Sequence, residues 1–223
     1  MNEIEFHLSL SNCTLFLGRL MNPKISLYSG LIVILLLLST PFCFAHPHVF
    51  IENSITIVFN NEGIVGIKAK WVFDEFFTNM IVMDYDHNSN NRFERSEIAS
   101  IQAEAFDNLV EYDYFTFIKI NGQPFQIKQV HNFFATLMDN LLIYEFLIPC
   151  SVSGDSVFKE ITISQYDPTY YCNITLNKRQ PVIYENEKEF ESSYRIAMNK
   201  KKAYYYDQVH PVEIILQFKK KHE

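Results

Sequence analysis

The chain has 223 residues, with 48% hydrophobic and 15% aromatic side chains, and 26 acidic against 19 basic ones for a formal net charge of −7. That composition fits a globular domain and excludes a disordered chain. Ten acids and only Arg92 and Arg95 fall between Asp74 and Asp113, a local net charge of −8, which argues against nucleic acid as a partner there and for an interest in cations.

In chain order, the first feature is the apolar run Leu31 to Leu38, "LIVILLLL", preceded by Arg19 and Lys24. Cys43 and Ala45 follow as small residues at the −3 and −1 positions of a cut. Residues 1–45 therefore read as a signal peptide, with export to the periplasm and cleavage after Ala45. An uncleaved anchor is the alternative, but the run is short beside the ~20 apolar residues of a membrane span. No stable membrane anchor is expected after cleavage. Starting at Met21 gives a leader of ordinary length, so Met21 is the expected true start. Residues 46–223 then form a single domain. Cys150 and Cys172 remain in an oxidising compartment, where one disulfide or two buried thiols fit equally.

"HVFIENSITIVF" (His48 to Phe59) and "IVGIKAKWVF" (Ile64 to Phe73) alternate as strands around the turn Asn60-Asn61-Glu62-Gly63, a predicted hairpin with Ile67, Ala69 and Trp71 on one face. The period then becomes helical. Phe73, Phe76, Phe77, Met80 and Ile81 form one stripe, and Ile98, Ile101, Ala105, Leu109 and Tyr112 a second. Residues 74–113 thus read as an acidic helix–loop–helix insertion. Strands resume at "YFTFIKING" (Tyr114 to Gly122). Asp139-Asn140 is expected to turn a tight hairpin. Asp167-Pro168-Thr169 is a turn in which Pro fixes φ and Asp bonds the following backbone. "VEIILQFK" is the last strand. Two Lys clusters, 200–202 and 219–221, read as exposed solubilising charge. The expected fold is mainly β (α+β): an antiparallel β-sandwich-like domain carrying that helical insertion.

The loop between the helices runs from Asp86 to Glu97, "DHNSNNRFERSE". It follows the spacing of an EF-hand calcium loop, D-x-[DN]-x-[DN]-G-x₅-E. Asp86, Asn88 and Asn90 take positions 1, 3 and 5. Arg92 offers its carbonyl at 7, Glu94 stands at 9 and Glu97 at 12. These are oxygen donors, which suit Ca2+. Asn91 replaces the glycine at position 6, where it must take a left-handed backbone. With Asn88 and Asn90 uncharged, only weak affinity is expected, about millimolar. A loop held by its own Asx-type hydrogen bonds is the alternative.

"AHPHVFIENSITIVF", "KWVFDEFFTNMIVMDYDHNSNNRFERSEI", "FDNLVEYDYFTFIKINGQPF" and "YDPTYY" together resemble a bacterial periplasmic family, number 1007 among the domains of unknown function. That family is often described as the periplasmic component of an uncharacterised ABC-type transport system. The resemblance implies a role in divalent-metal homeostasis beside zinc-, nickel- or cobalt-type transporters, with an inner-membrane metal transporter as partner.

The His-Pro-His at residues 46–48 gives this a chemical form. Cleavage after Ala45 would leave His46 with a free α-amine beside its imidazole, and His48 two residues on. Nitrogen donors of this kind suit Zn2+, Ni2+, Co2+ or Cu2+. Pro47 has no backbone N–H, which excludes the square-planar amino-terminal copper/nickel motif. His131 and His210 are the candidates to complete the site as a third ligand. The sequence carries no nucleophilic triad, phosphate loop or Cys-based zinc motif, so a non-enzyme is expected. A copper oxidative enzyme using His46 is the weakest alternative. The reading that stands is a periplasmic divalent-metal-binding accessory protein of a transport system. A non-catalytic interaction module is its rival.

Overall fold

In the computed structural model, residues 47–221 are described. The proposed leader, the Met21 start and His46 lie outside them. Among the described residues, eleven strands form two sheets beside a helical segment. The chain opens on the expected hairpin: β1 (Val49–Asn60) and β2 (Gly63–Phe73) pair antiparallel from Ile51 opposite Phe73 to Asn60 opposite Gly63. The Asn60 side chain accepts hydrogen bonds from the N–H groups of Glu62 and Gly63 at 2.9 and 3.0 Å and closes the turn. Gly63 sits at φ +152, and a Cβ there would meet the Val152 carbonyl at 2.2 Å, so only glycine fits.

The first sheet has the order β5-β6-β2-β1-β8, with β9 also on β1. Its members are β5 (His131–Met138), β6 (Leu141–Ser153), β8 (Cys172–Leu176) and β9 (Val182–Glu185). Asp139 and Asn140 stand at φ 53 and 63 between β5 and β6, the left-handed pair that a two-residue hairpin turn requires. The second sheet runs β10-β11-β7-β3-β4: β3 (Thr116–Ile120), β4 (Gln123–Phe125), β7 (Lys159–Gln165), β10 (Phe190–Met198) and β11 (Val212–Lys220).

The architecture is mainly β with two sheets, but not wholly antiparallel. β8 and β9 both run parallel to β1. The reason is connectivity: the chain leaves the first sheet after β6, builds part of the second, and re-enters beside β1 through the Asp167 turn. A strand arriving by such a long connection is free of the reversal a hairpin imposes.

Period-2 alternation puts Val49, Ile51, Ile55, Ile57 and Phe59 of β1 in the core with Trp71, Tyr144 and Phe146 of neighbouring strands. Of the two alternatives for Cys150 and Cys172, the structure shows free thiols. Pro149, next to Cys150, aligns through Gly66 with Val58, whereas Cys172 aligns with Val49. Nine positions of strand, about 30 Å at 3.3 Å per residue, separate the two thiols along the sheet.

The helical segment starts with α1 (Glu75–Tyr85), whose N-cap Asp74 accepts from the Phe77 N–H at 2.9 Å. Its other oxygen takes the Phe50 N–H at 2.6 Å and so ties α1 to β1. Thr78, buried, accepts from the Leu142 N–H at 2.9 Å and ties α1 to β6. α2 (Arg95–Ile101) continues into a π-turn (Gln102–Phe106) and a 3-10 stretch (Asp107–Phe115). The expected stripe of uniform helical spacing is therefore broken. The wider π-turn swings Phe106, five residues after Ile101, onto the buried face; both are 0% exposed. Asp113, Tyr114 and Phe115 then take three successive left-handed conformations, φ 52, 50 and 50, which aim the last two rings into the core.

Candidate functional site

The first candidate is the loop from Asp86 to Glu97. It lies between α1 and α2, and Asn91 takes the left-handed backbone at φ 58. Its carboxylates and amides are directed inward onto its own backbone. Asp86, buried, accepts from the N–H of Asn90 (3.1 Å) and of Asn91 (2.8 Å). Asn88 and Asn90 accept from the N–H of Asn90 and Arg92. Glu97, also buried, accepts from the N–H of His87 at 3.0 Å and of Glu94 at 2.9 Å. The Glu94 carboxylate takes the side-chain amides of Asn88 and Asn90 at 3.1 and 2.6 Å. The donor type fits Ca2+, but an ion would compete with these contacts.

His131 is not gathered with His48. His48 is exposed just before β1; its N–H and that of Val49 donate to the Tyr171 carbonyl at 2.9 and 3.2 Å. The His48 ring lies 5.0 Å from the Tyr171 ring. His131 opens β5 at the opposite edge of the sheet, where its Nε2 meets the Gln129 side chain at 3.0 Å. It aligns through Leu147 and Lys68 with Thr56 on β1, seven residues and three strands from Val49, or more than about 20 Å away. His210 precedes β11 and donates from Nδ1 to the Lys202 carbonyl at 2.8 Å. Among the described residues no group of three or more His, Cys, Asp or Glu is placed to hold a metal.

What the tertiary structure does gather is a cavity of about 320 Å³ beside the start of β1. Val49 and Ile51 form one wall, and Trp71, Phe73 and Tyr144 form the floor. Phe77, Ala105, Leu109, Tyr112 and Phe115 come from the helical segment, closing one side. Asp167, Thr169, Tyr171 and Cys172 close the other. Each of the four motifs that carried the family resemblance contributes to it.

The Asp167 turn is built by its carboxylate. One oxygen accepts from the Thr169 N–H (2.8 Å) and hydroxyl (2.7 Å), the other from the Cys172 N–H (2.9 Å). The Cys172 thiol is pushed up to about 12, first by burial, then by the charges of Asp167 and Asp74. It is therefore a neutral, unreactive thiol at neutral pH.

One cross-strand row of the first sheet carries buried polar groups. Asn53, Trp71 and Tyr144 are direct cross-strand neighbours on β1, β2 and β6. Asn53 Oδ1, Trp71 Nε1 and Tyr144 OH are buried with no hydrogen-bond partner. The Asn53 amide N–H₂ does reach Gln165, which donates in turn to the Thr116 hydroxyl at 3.0 Å, a strut between the two sheets. An unpaired buried polar group costs about 1–3 kcal/mol. Burial also raises the Tyr144 hydroxyl pKa. Sequence reasoning missed this cavity because its lining has the alternation of a core. The only signal was that inward positions of β2 and β6 hold Trp and Tyr, rings with a polar tip.

Elsewhere, α1 leaves Phe76, Met80 and Met83 exposed, although the apolar stripe placed Phe76 and Met80 with the buried set. No described helix is long and apolar enough to cross a membrane.

Comparison with known proteins places residues 31–208 in a match to the family described as "Protein of unknown function (DUF1007)". An "Uncharacterized 15.5 kDa protein in trpE 3'region" of Spirochaeta aurantia is 27% identical over 131 residues, 59% of this chain and 93% of that protein. An uncharacterized protein of Haemophilus influenzae is 25% identical over 141 residues, 62% of this chain and 66% of its own length.

Proposed function

The chain belongs to the DUF1007 family, and from that premise we propose that it is a periplasmic, non-catalytic, divalent-metal-binding accessory protein. Its partner is an inner-membrane transport system of the zinc, nickel or cobalt type. The observation that carries this reading is the fixing of His48. Two backbone hydrogen bonds and a ring contact pin it, exposed, on the "YDPTYY" turn. A chelate made by His46, its α-amine and His48 would thus stand on a rigid support rather than a loose tail. His131 is dropped as a third ligand, since it lies across the sheet; His210, water or the partner fills the remaining positions.

The loop is read as EF-hand-like in spacing and oxygen donors. Asp86, Asn88, Asn90, Arg92, Glu94 and Glu97 would hold Ca2+ weakly, because the side chains among them already bond within the loop.

Calorimetric titration of the exported, processed protein with Zn2+, Ni2+, Co2+ and Cu2+ tests the reading. Binding tighter than about millimolar, weakened at least tenfold in His46→Ala and His48→Ala, is the expected result. Binding no tighter than about millimolar for all four ions, or binding indifferent to both substitutions, removes it.

The exposed Phe76, Met80 and Met83 on α1 support the second reading, an interaction module. In that case Met83→Ser abolishes co-purification with the transporter while the histidine variants leave metal resistance unchanged.

A further inference from the structure

α1 carries two apolar faces. One holds Thr78 and Ile81, is buried, and is tied to β6 through the Thr78 hydroxyl. The other holds Phe76, Met80 and Met83, which are 69%, 45% and 85% exposed. Their spacing, i, i+4 and i+7, sets them in one row about 10 Å long on the outer side of the helix. A row of large apolar side chains held in water marks a surface that something else covers, and methionine adapts to varied partners. The charges around the row say what the cover is. Glu75 precedes Phe76 and Asp84 follows Met83, each about 100° round the helix from its neighbour and in opposite senses. The row thus has an exposed carboxylate on either flank. Glu104 stands beside the end of α1, where it accepts from the Tyr85 hydroxyl at 3.5 Å. The ion pairs among the described residues all lie outside the segment from Asp74 to Asp113, so its net charge of −8 is not offset by basic groups elsewhere. A second copy of the chain is a poor cover. Antiparallel docking of two α1 helices sets Glu75 against Asp84, and parallel docking sets each against itself, so like charges meet. An anionic lipid surface is repelled for the same reason.

We propose that this row is the docking surface for a basic amphipathic helix of a partner protein. The partner's apolar side chains cover Phe76, Met80 and Met83, and its Lys or Arg side chains meet Glu75 and Asp84. The proposal rests on the interaction-module reading and adds to it the chemistry of the partner segment. It does not depend on metal binding at the amino terminus.

The test titrates the processed protein with three peptides of about four helical turns, followed by calorimetry. The first has Leu on one face and Lys on the other, the second has Glu in place of Lys, and the third scrambles the order of the first. The Leu/Lys helix binds saturably and about tenfold or more tighter than either of the others. Met83→Ser weakens it about tenfold, and the side chain is too exposed for the change to disturb the fold. Glu75→Lys combined with Asp84→Lys weakens it about fivefold and gains affinity for the Leu/Glu helix, a reversal that non-specific adhesion does not produce. Val157→Ser, which removes an exposed apolar side chain next to β7, leaves binding unchanged. Four results would overturn the proposal. One is no saturable binding of the Leu/Lys helix. The others are equal binding of the scrambled peptide, a Met83→Ser variant that binds like Val157→Ser, and unchanged peptide preference in the double Lys variant. Co-purification with the transporter separates this proposal from the reading beneath it. If Met83→Ser abolishes co-purification but the Leu/Lys helix does not bind, the basic helix is wrong and the interaction module stands. If Met83→Ser leaves co-purification intact, the module reading falls and the proposal with it.

Discussion

Asp86 shows how one carboxylate can serve two readings of a loop. Its two oxygens accept the Asn90 and Asn91 N–H groups, so it shapes the turn whether or not an ion is bound. Asp86→Ala is therefore expected to cost about 2 kcal/mol in urea unfolding with EDTA present, because two partly buried N–H groups lose their acceptor. A change below about 0.5 kcal/mol would show that the loop does not need the carboxylate. The two thiols make a second residue-scale prediction. Burial raises Cys150 to about 11 and, with two nearby charges, Cys172 to about 12. Iodoacetamide at pH 8 should label neither in the native protein and both after denaturation. Labelling of either in the native state would contradict the packing around it.

At the scale of elements, the β5–β6 hairpin and the helical segment contrast. Asp139 and Asn140 hold the left-handed pair that joins Met138 to Leu141. The sequence declared that turn, because few residue pairs tolerate such backbone. Asn140→Gly should be neutral or stabilise by up to about 0.5 kcal/mol, whereas Asn140→Val should cost about 1–2 kcal/mol, since a β-branched residue resists φ near +60°. Thermal denaturation of both variants decides this, and equal melting temperatures would refute the turn geometry. The helix after α2 was not legible in the same way. A pattern of Ile101, Ala105 and Leu109 looks like regular helical spacing. Only packing of Phe106 against Tyr114, Phe133 and Phe146 shows why the backbone widens by a residue. Nothing local in the sequence marks a π-turn, because it is selected by what it packs against.

For the whole molecule, two equilibria can be measured. Removing divalent ions should change the melting temperature by only a few degrees, since the loop is closed by hydrogen bonds; unfolding on addition of EDTA would mean that an ion holds the fold. The thiols set the alkaline side. Their folded pKa values lie above the unfolded value of about 8.5. The unfolded chain therefore releases protons first, and stability falls as pH rises from about 8.5 towards 12. Unfolding free energies at pH 8 and pH 10.5 should differ in that direction. Cys172→Ser should shrink the difference.

The sequence by itself determined the hairpins, the turns at Asn60, Asp139 and Asp167, and the family. Each is a short-range matter of periodicity, of a side chain bonding its own backbone, or of motifs in order. It also placed the oxygen-rich loop, but not the fact that the loop's oxygens are engaged by its own N–H groups. Only the tertiary structure decided that β8 and β9 run parallel to β1, that the two cysteines stand at different levels of one sheet, and that His131 lies across it from His48. It alone placed an apolar chamber over Trp71 and Tyr144. Register between strands distant in sequence is set by the packing of both sheets together. A residue facing a cavity carries the same alternation as one facing the core, so the pattern that reveals a strand conceals what its inner face surrounds.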